Sequence, residues 1–214
     1  MSTVRQFESR DSSLRSAAAE DRTDTFNPFL EVYAAQDKKP AHLEDIDPRS
    51  LTPYERGCLM IDGTVTRFLE AQMMEPIEVV GCGQTIERLR RDHIWLDLPQ
   101  GSPVIARRVL LKGAVSGRVH ASAATLLIED RVRQAIAGGI TTIPEGIGRM
   151  LLTGRVEQFR ELLWYGKEAP LDLPGEMRTL ASEYALTRTY RIFANKKPMM
   201  MITEWFELGT GVAR

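Results

Sequence analysis

The sequence is poor in the residues that build disulfide frameworks and metal centres, with 2 cysteines and 3 histidines in 214 residues. Cys58 and Cys82 cannot staple a framework. His42, His93 and His120 are scattered and none has a second Cys or His at ligand spacing, so no metal is expected and each reads as a surface or packed histidine. No apolar run approaches the ~18 residues of a membrane span. The opening stretch, MSTVRQFESRDSSLRSAAAEDRTD, lacks the apolar core of a secretory signal. An excess of one charge is missing too: 28 Lys and Arg stand against 29 Asp and Glu, for a net charge of -1. That balance gives no electrostatic footprint for nucleic acid or an anionic membrane surface. Nothing repeats at a solenoid period. What is left is a cytoplasmic globular protein with reduced thiols, whose 43% hydrophobic and 27% charged residues suit one ordinary domain.

Residues 1–25 are rich in Ser, Arg, Glu and Asp and cannot bury enough apolar surface to offset ordering, so they are expected as a flexible tail. Residues 26–50 carry apolar islands (Phe29, Leu30, Val32, Tyr33) between polar, Pro-containing gaps and read as an N-terminal arm. The folded domain is expected over 51–208, with 209–214 as a C-terminal tail. Leu51 to Met74 has helical spacing broken at Asp62-Gly63, with Thr64 or Thr66 starting a second helix. Ile77–Val80 and Gln84–Leu89 read as two strands separated by Gly81-Cys82-Gly83. Val104–Lys112 and Arg118–Ile128 read as a hairpin, as do Thr187–Phe193 and Met199–Leu208 about a turn at Asn195-Lys196-Lys197-Pro198. Ile147, Leu151, Phe159, Leu162 and Leu163 fit a helix face, or two short ones split at Thr153-Gly154. Hairpins with helices gathered between them predict an α+β fold around an antiparallel sheet.

Two charges interrupt this pattern. Side chains on a strand alternate between faces, so Ile105, Arg107, Val109 and Leu111 share one face, apolar except for the guanidinium. In the nearly continuous apolar run Met199 to Phe206, Glu204 shares a face with Met200, Ile202 and Phe206. An unpaired buried charge costs several kcal/mol, so each of the two requires a partner. They pair with each other or with other buried groups, as structural salt bridges, or they face a cavity for a polar aromatic or carboxylated ligand. In the second case Arg107 is suited to a bidentate carboxylate pair and Glu204 to accepting a hydrogen bond from a hydroxyl.

The same residues resemble the chorismate pyruvate-lyase family, including its actinobacterial and archaeal branch. Four segments match in order across roughly residues 55 to 208. They are Asp62-Gly63-Thr64-Val65-Thr66-Arg67, Arg107-Arg108-Val109-Leu110-Leu111-Lys112-Gly113, Ile147-Gly148-Arg149, and Pro198 to Phe206 with its Thr203-Glu204-x-Phe206. The resemblance implies a six-stranded antiparallel sheet with helices forming flaps over a buried pocket. It implies an enzyme that removes the enolpyruvyl group of chorismate to give 4-hydroxybenzoate and pyruvate, with no cofactor. Arg107 would bind the ring carboxylate and Glu204 contact the hydroxyl on the opposite ring carbon, as the two catalytic residues. Backbone N–H groups of Val65 and Ile147, which stand where the enterobacterial form has Met and Leu, would also bond the carboxylate. The second carboxylate of chorismate needs a cation. Arg67, Arg149 and Arg188 are candidates, although each reads more readily as a solvated surface charge. Two alternatives remain: a non-catalytic aromatic-acid sensor of the same fold, or a lyase acting on a chorismate relative or giving another hydroxybenzoate isomer.

Overall fold

The structure, a computed structural model, describes residues 26–135, 157–169 and 184–208. Its framework is one antiparallel sheet of six strands in the order β1-β2-β3-β6-β5-β4. The strands are β1 (Ile77–Arg88), β2 (Pro103–Gly113), β3 (Val119–Leu127), β4 (Phe159–Glu168), β5 (Ala185–Ala194) and β6 (Lys197–Glu207). Two three-stranded meanders thus meet at β3 and β6, which places the strand bearing Glu204 at the centre of the sheet. The β5–β6 turn lies where the Asn-Lys pair places it. Asn195 and Lys196 both take positive φ (51° and 62°), the two-residue geometry whose twist matches the flanking strands.

The helices are α1 (Phe29–Val32), α2 (Pro53–Met60), α3 (Val65–Met73) and α4 (Glu129–Ala135). Helix α2 starts with a capping box: the Thr52 side chain accepts from the Glu55 N–H, and the Glu55 carboxylate accepts from the Thr52 N–H at 2.7 Å. Pro53 at the first turn loses no hydrogen bond there. The helical stretch divides at Asp62-Gly63, and α3 begins at Val65 behind Thr64. It ends at Met74, whose φ of 54° turns the chain out of the helix.

One face of the sheet carries the main core. There Leu59, Val65 and Leu69 of α2 and α3 pack with Ile105, Leu111, Met200, Ile202 and Phe206. The opposite face of β6 is covered in part, with Trp205 buried and packed near Leu110, Val119 and Ala124. Residues ahead of α2 run beside β4. Tyr33 bridges Leu162, and Glu44 bridges Lys167 through a pair of backbone hydrogen bonds of 2.9 and 3.0 Å. Gly166 permits that approach, since a Cβ there would sit 2.6 Å from the Glu44 carbonyl oxygen.

Two expected elements differ. Ile77–Val80 and Gln84–Leu89 are one strand, because the ladder to β2 slips at Gly81/Gly83 and continues. Gly83 at φ 144° accommodates Cys82 as the extra residue of a bulge rather than as a turn. Phe159, Leu162 and Leu163 lie on a strand and not on a helix. A register shift between Leu162 and Trp164 breaks the two-residue alternation. Leu162 and Tyr165 therefore share the main core while Leu163 and Trp164 pack with Ala35 and Leu43, a three-residue spacing that imitates a helix. Ile147 and Leu151 lie outside the described residues.

Candidate active site

Strand register fixes which side chains meet over the core face. Arg107, Thr125, Ile202, Tyr190 and Leu162 form one cross-sheet row over β2, β3, β6, β5 and β4. On one side of it runs the row Val109, Ala123, Glu204, Arg188 and Tyr165; on the other, Ile105, Leu127, Met200, Ile192 and Arg160. A cavity opens between these rows and the start of α3. Arg107, Glu204, Tyr190 and Arg160 all line it, as do Val65 and its two flanking threonines, with apolar wall from Val109, Ile192 and Ile202. Arg107 is 7% exposed and Glu204 5%. The two residues that interrupt apolar strand faces thus border a single space, Arg107 from β2 and Glu204 from β6, with β3 between them.

Glu204 is held at both oxygens. Arg188 Nε donates to its Oε2 at 2.8 Å and the Tyr190 hydroxyl donates to its Oε1 at 3.0 Å. Each carboxylate oxygen can accept more than one hydrogen bond, so these contacts aim the group without exhausting it. Burial pushes the Tyr190 hydroxyl well above the usual tyrosine range, and the Glu204 charge adds to that. The phenol therefore stays protonated and acts as a donor.

Arg188 corrects the expectation of a solvated charge, since none of its side chain is exposed. Its neighbours on the strand face are Leu186, Tyr190 and Ile192, all buried. The alternation that singles out Arg107 also singles out this residue. Besides Glu204, its terminal nitrogen donates to the Leu59 and Ile61 carbonyl oxygens at 3.1 and 2.9 Å. Those carbonyls belong to the last turn of α2 and to its C-cap residue, where a cation is favoured by the helix dipole. The Leu59 oxygen also accepts from the Tyr33 hydroxyl at 2.8 Å. One guanidinium therefore ties Glu204 to the end of α2, immediately before the segment that carries Val65.

The other predicted residues divide. Val65 is the first residue of α3, and Thr64 ahead of it makes no side-chain cap; first-turn N–H groups have no acceptor within their own helix. Arg67 points to solvent, 71% exposed along its side chain and bonded to Glu70 at 3.0 Å. Ile147 and Arg149 lie outside the described residues. Arg160, which sequence reasoning passed over, borders the cavity. Its signal was obscured by the helical reading of its segment. Among the described residues no cluster of His, Cys, Asp or Glu could hold a metal ion. No helix among them is long and apolar enough to cross a membrane.

Comparison with known proteins bears on this arrangement. The chain is similar to the chorismate pyruvate-lyase of Mycobacterium leprae, 28% identical over 164 residues that cover 74% of this chain and 76% of that protein. It is 26% identical over 181 residues to the chorismate pyruvate-lyase of Mycobacterium tuberculosis, covering 77% of this chain and 84% of that one. Among solved structures it is similar to the effector domain of PhnF from Mycobacterium smegmatis, with a TM-score of 0.50 and 11% identity over 69% of this chain and 89% of that domain; at that identity the likeness concerns the fold alone. A family model described as chorismate pyruvate-lyase Rv2949c-like matches residues 59–211, a span that takes in α3, all six strands and the cavity they border. The chain belongs to the Rv2949c-like chorismate pyruvate-lyase family.

Proposed function

We propose that this protein converts chorismate to 4-hydroxybenzoate and pyruvate. The observation that carries the reading is the convergence of two buried side chains, Arg107 and Glu204, on one mainly apolar cavity beside the start of α3. A planar acid bearing a hydroxyl opposite its carboxylate has complementary ends. Arg107 pairs with the ring carboxylate, joined by the backbone N–H groups of Val65 and Ile147. Glu204 accepts a hydrogen bond from the ring hydroxyl, its carboxylate aimed by Arg188 and Tyr190. Apolar walls hold the ring and fix its orientation.

The reaction is an elimination without net oxidation. The bond between the ring carbon and the enolpyruvyl oxygen breaks, and the hydrogen on the neighbouring hydroxyl-bearing carbon leaves. The released enolpyruvate takes up a proton at its methylene carbon and becomes pyruvate. Aromatisation of the ring supplies the driving force. The protein's contribution is to hold the ether and the ring C–H in line for elimination and to place charge where it develops.

Incubating purified protein with chorismate, and measuring pyruvate and hydroxybenzoate together, tests the reading. Equal amounts of the two products are expected, with the 4-isomer identified by chromatography. Arg107→Ala and Glu204→Gln, the latter keeping an amide oxygen for Arg188 and Tyr190, should each cut kcat/KM at least about 100-fold, the scale on which a group stabilising developing charge acts, while remaining folded. Tight hydroxybenzoate binding without turnover would instead make the domain a sensor.

A further inference from the structure

We propose that Arg160 is the receptor for the second carboxylate of the substrate, the one on the three-carbon enolpyruvyl group. This rests on the lyase reading above and assigns a group that the ring contacts leave unmatched. Chorismate is a dianion, and hydroxybenzoate at neutral pH a monoanion. The described part of the cavity carries Arg107, Arg160 and Glu204, and Glu204 is already neutralised by Arg188 behind it. Two guanidiniums, those of Arg107 and Arg160, thus line the described part of the space, equal in number to the carboxylates of the substrate.

The positions agree with the chemistry. Arg107 enters from β2 and Arg160 from β4, with β3, β6 and β5 between them. Four strand spacings of about 4.8 Å separate their backbones, so the two guanidiniums approach the ligand from opposite ends. Arg160 is linked to Glu204 through Tyr190: β5 alone separates their strands, the Arg160 guanidinium carbon is 5.8 Å from the centroid of the Tyr190 ring, and the Tyr190 hydroxyl bonds Glu204. In chorismate the hydroxyl and the enolpyruvyl ether occupy adjacent ring carbons. Whatever holds one must stand beside whatever holds the other, and far from the ring-carboxylate receptor.

Arg160 also has an unused donor. Its Nε is buried and has no hydrogen-bond partner among the described residues. A buried donor left in that state is costly unless a ligand supplies the acceptor. The sequence-level candidates are otherwise placed: Arg188 bonds Glu204 and the end of α2, and its one unbonded buried nitrogen lies on a residue that does not line the cavity, and the Arg67 side chain lies in solvent, paired with Glu70. After the bond breaks, the carboxylate on Arg160 belongs to pyruvate, which separates the binding sites of the two products.

The test compares two ligands in one variant. Arg160→Met keeps an unbranched stem out to the Nε position and removes the charge, and its folding is checked by thermal unfolding. We expect kcat/KM for chorismate to fall about 10- to 100-fold, the scale of one charge-assisted hydrogen bond, while 4-hydroxybenzoate affinity by calorimetry stays within about twofold of wild type. Arg160→Lys should recover part of the chorismate loss, and Arg160→Gln replaces the Met variant if that one unfolds. Equal weakening of both ligands, or no change for chorismate, overturns the assignment. If wild type binds chorismate without turnover and Arg160→Met selectively loses that binding, the lyase reading fails while the Arg160 assignment stands. Wild-type protein that binds neither ligand overturns both.

Discussion

Removing the Arg188 guanidinium tests whether the candidate site is built around a buried ion pair. In Arg188→Met the Glu204 carboxylate loses its 2.8 Å donor, and the Leu59 and Ile61 carbonyls lose donors at 3.1 and 2.9 Å. With both partners of the pair buried, taking one away leaves an uncompensated charge, at a cost of ~3–5 kcal/mol. Replacing both, as in Arg188→Met with Glu204→Met, removes that charge. What persists is the part-buried Ile61 carbonyl without its donor and the Tyr190 hydroxyl without its Glu204 acceptor, while Leu59 keeps the Tyr33 hydroxyl. The double variant should therefore lie only ~1–3 kcal/mol below wild type. Urea denaturation followed by tryptophan fluorescence, applied to wild type, Arg188→Met, Glu204→Met and the double variant, yields the coupling directly. An Arg188→Met loss below about 1 kcal/mol, or a double variant no more stable than the single one, would refute the reasoning. In that case Glu204 is held by something other than this pair.

Two further outcomes follow from local geometry. Glu75 accepts from the Ser116 N–H at 2.9 Å, the Ser116 hydroxyl at 2.7 Å and the Val115 N–H at 3.0 Å. These bonds hold its pKa down at about 2, from an ordinary value of 4.5. Because the folded-state value is depressed, the stabilisation is fully present above the unfolded value and is lost as pH falls from about 4.5 towards 2. Glu75→Gln should flatten the acid limb of the stability-pH curve in that window, and an unchanged limb counts against the β2–β3 turn being tied through this carboxylate. Gly166→Ala forces a Cβ to within 2.6 Å of the Glu44 carbonyl oxygen, an overpacking cost of ~1–3 kcal/mol that should lower the thermal midpoint by several degrees. No shift would show that the segment ahead of α2 gives way freely.

Reading the strands worked where alternation is strict. The faces of β2 and β6 put Arg107 and Glu204 inside, and both are buried. The same reasoning applied to Leu186, Arg188, Tyr190 and Ile192 identifies the third interior charge, which the general rarity of buried arginine concealed. It failed on β4, where the shift at Leu162/Trp164 replaces a two-residue period with a three-residue one. That failure hid Arg160, whose place on the core face depends on the segment being a strand. It also failed on β1, where a bulge and a turn share the same glycine-rich sequence.

The sequence by itself determined the hairpins, the helix break at Asp62-Gly63, and the fact that two charges had to find partners indoors. Those follow from local periodicity and from the cost of burying charge, both properties of short segments. Which partner each charge meets was decided only by the tertiary structure. Glu204 pairs with Arg188 because β5 lies beside β6 in that register. It reaches a common cavity with Arg107 because β3 alone separates their strands. Pairing across a sheet joins residues far apart in the chain, and strand order and register are set by the packing of the whole core.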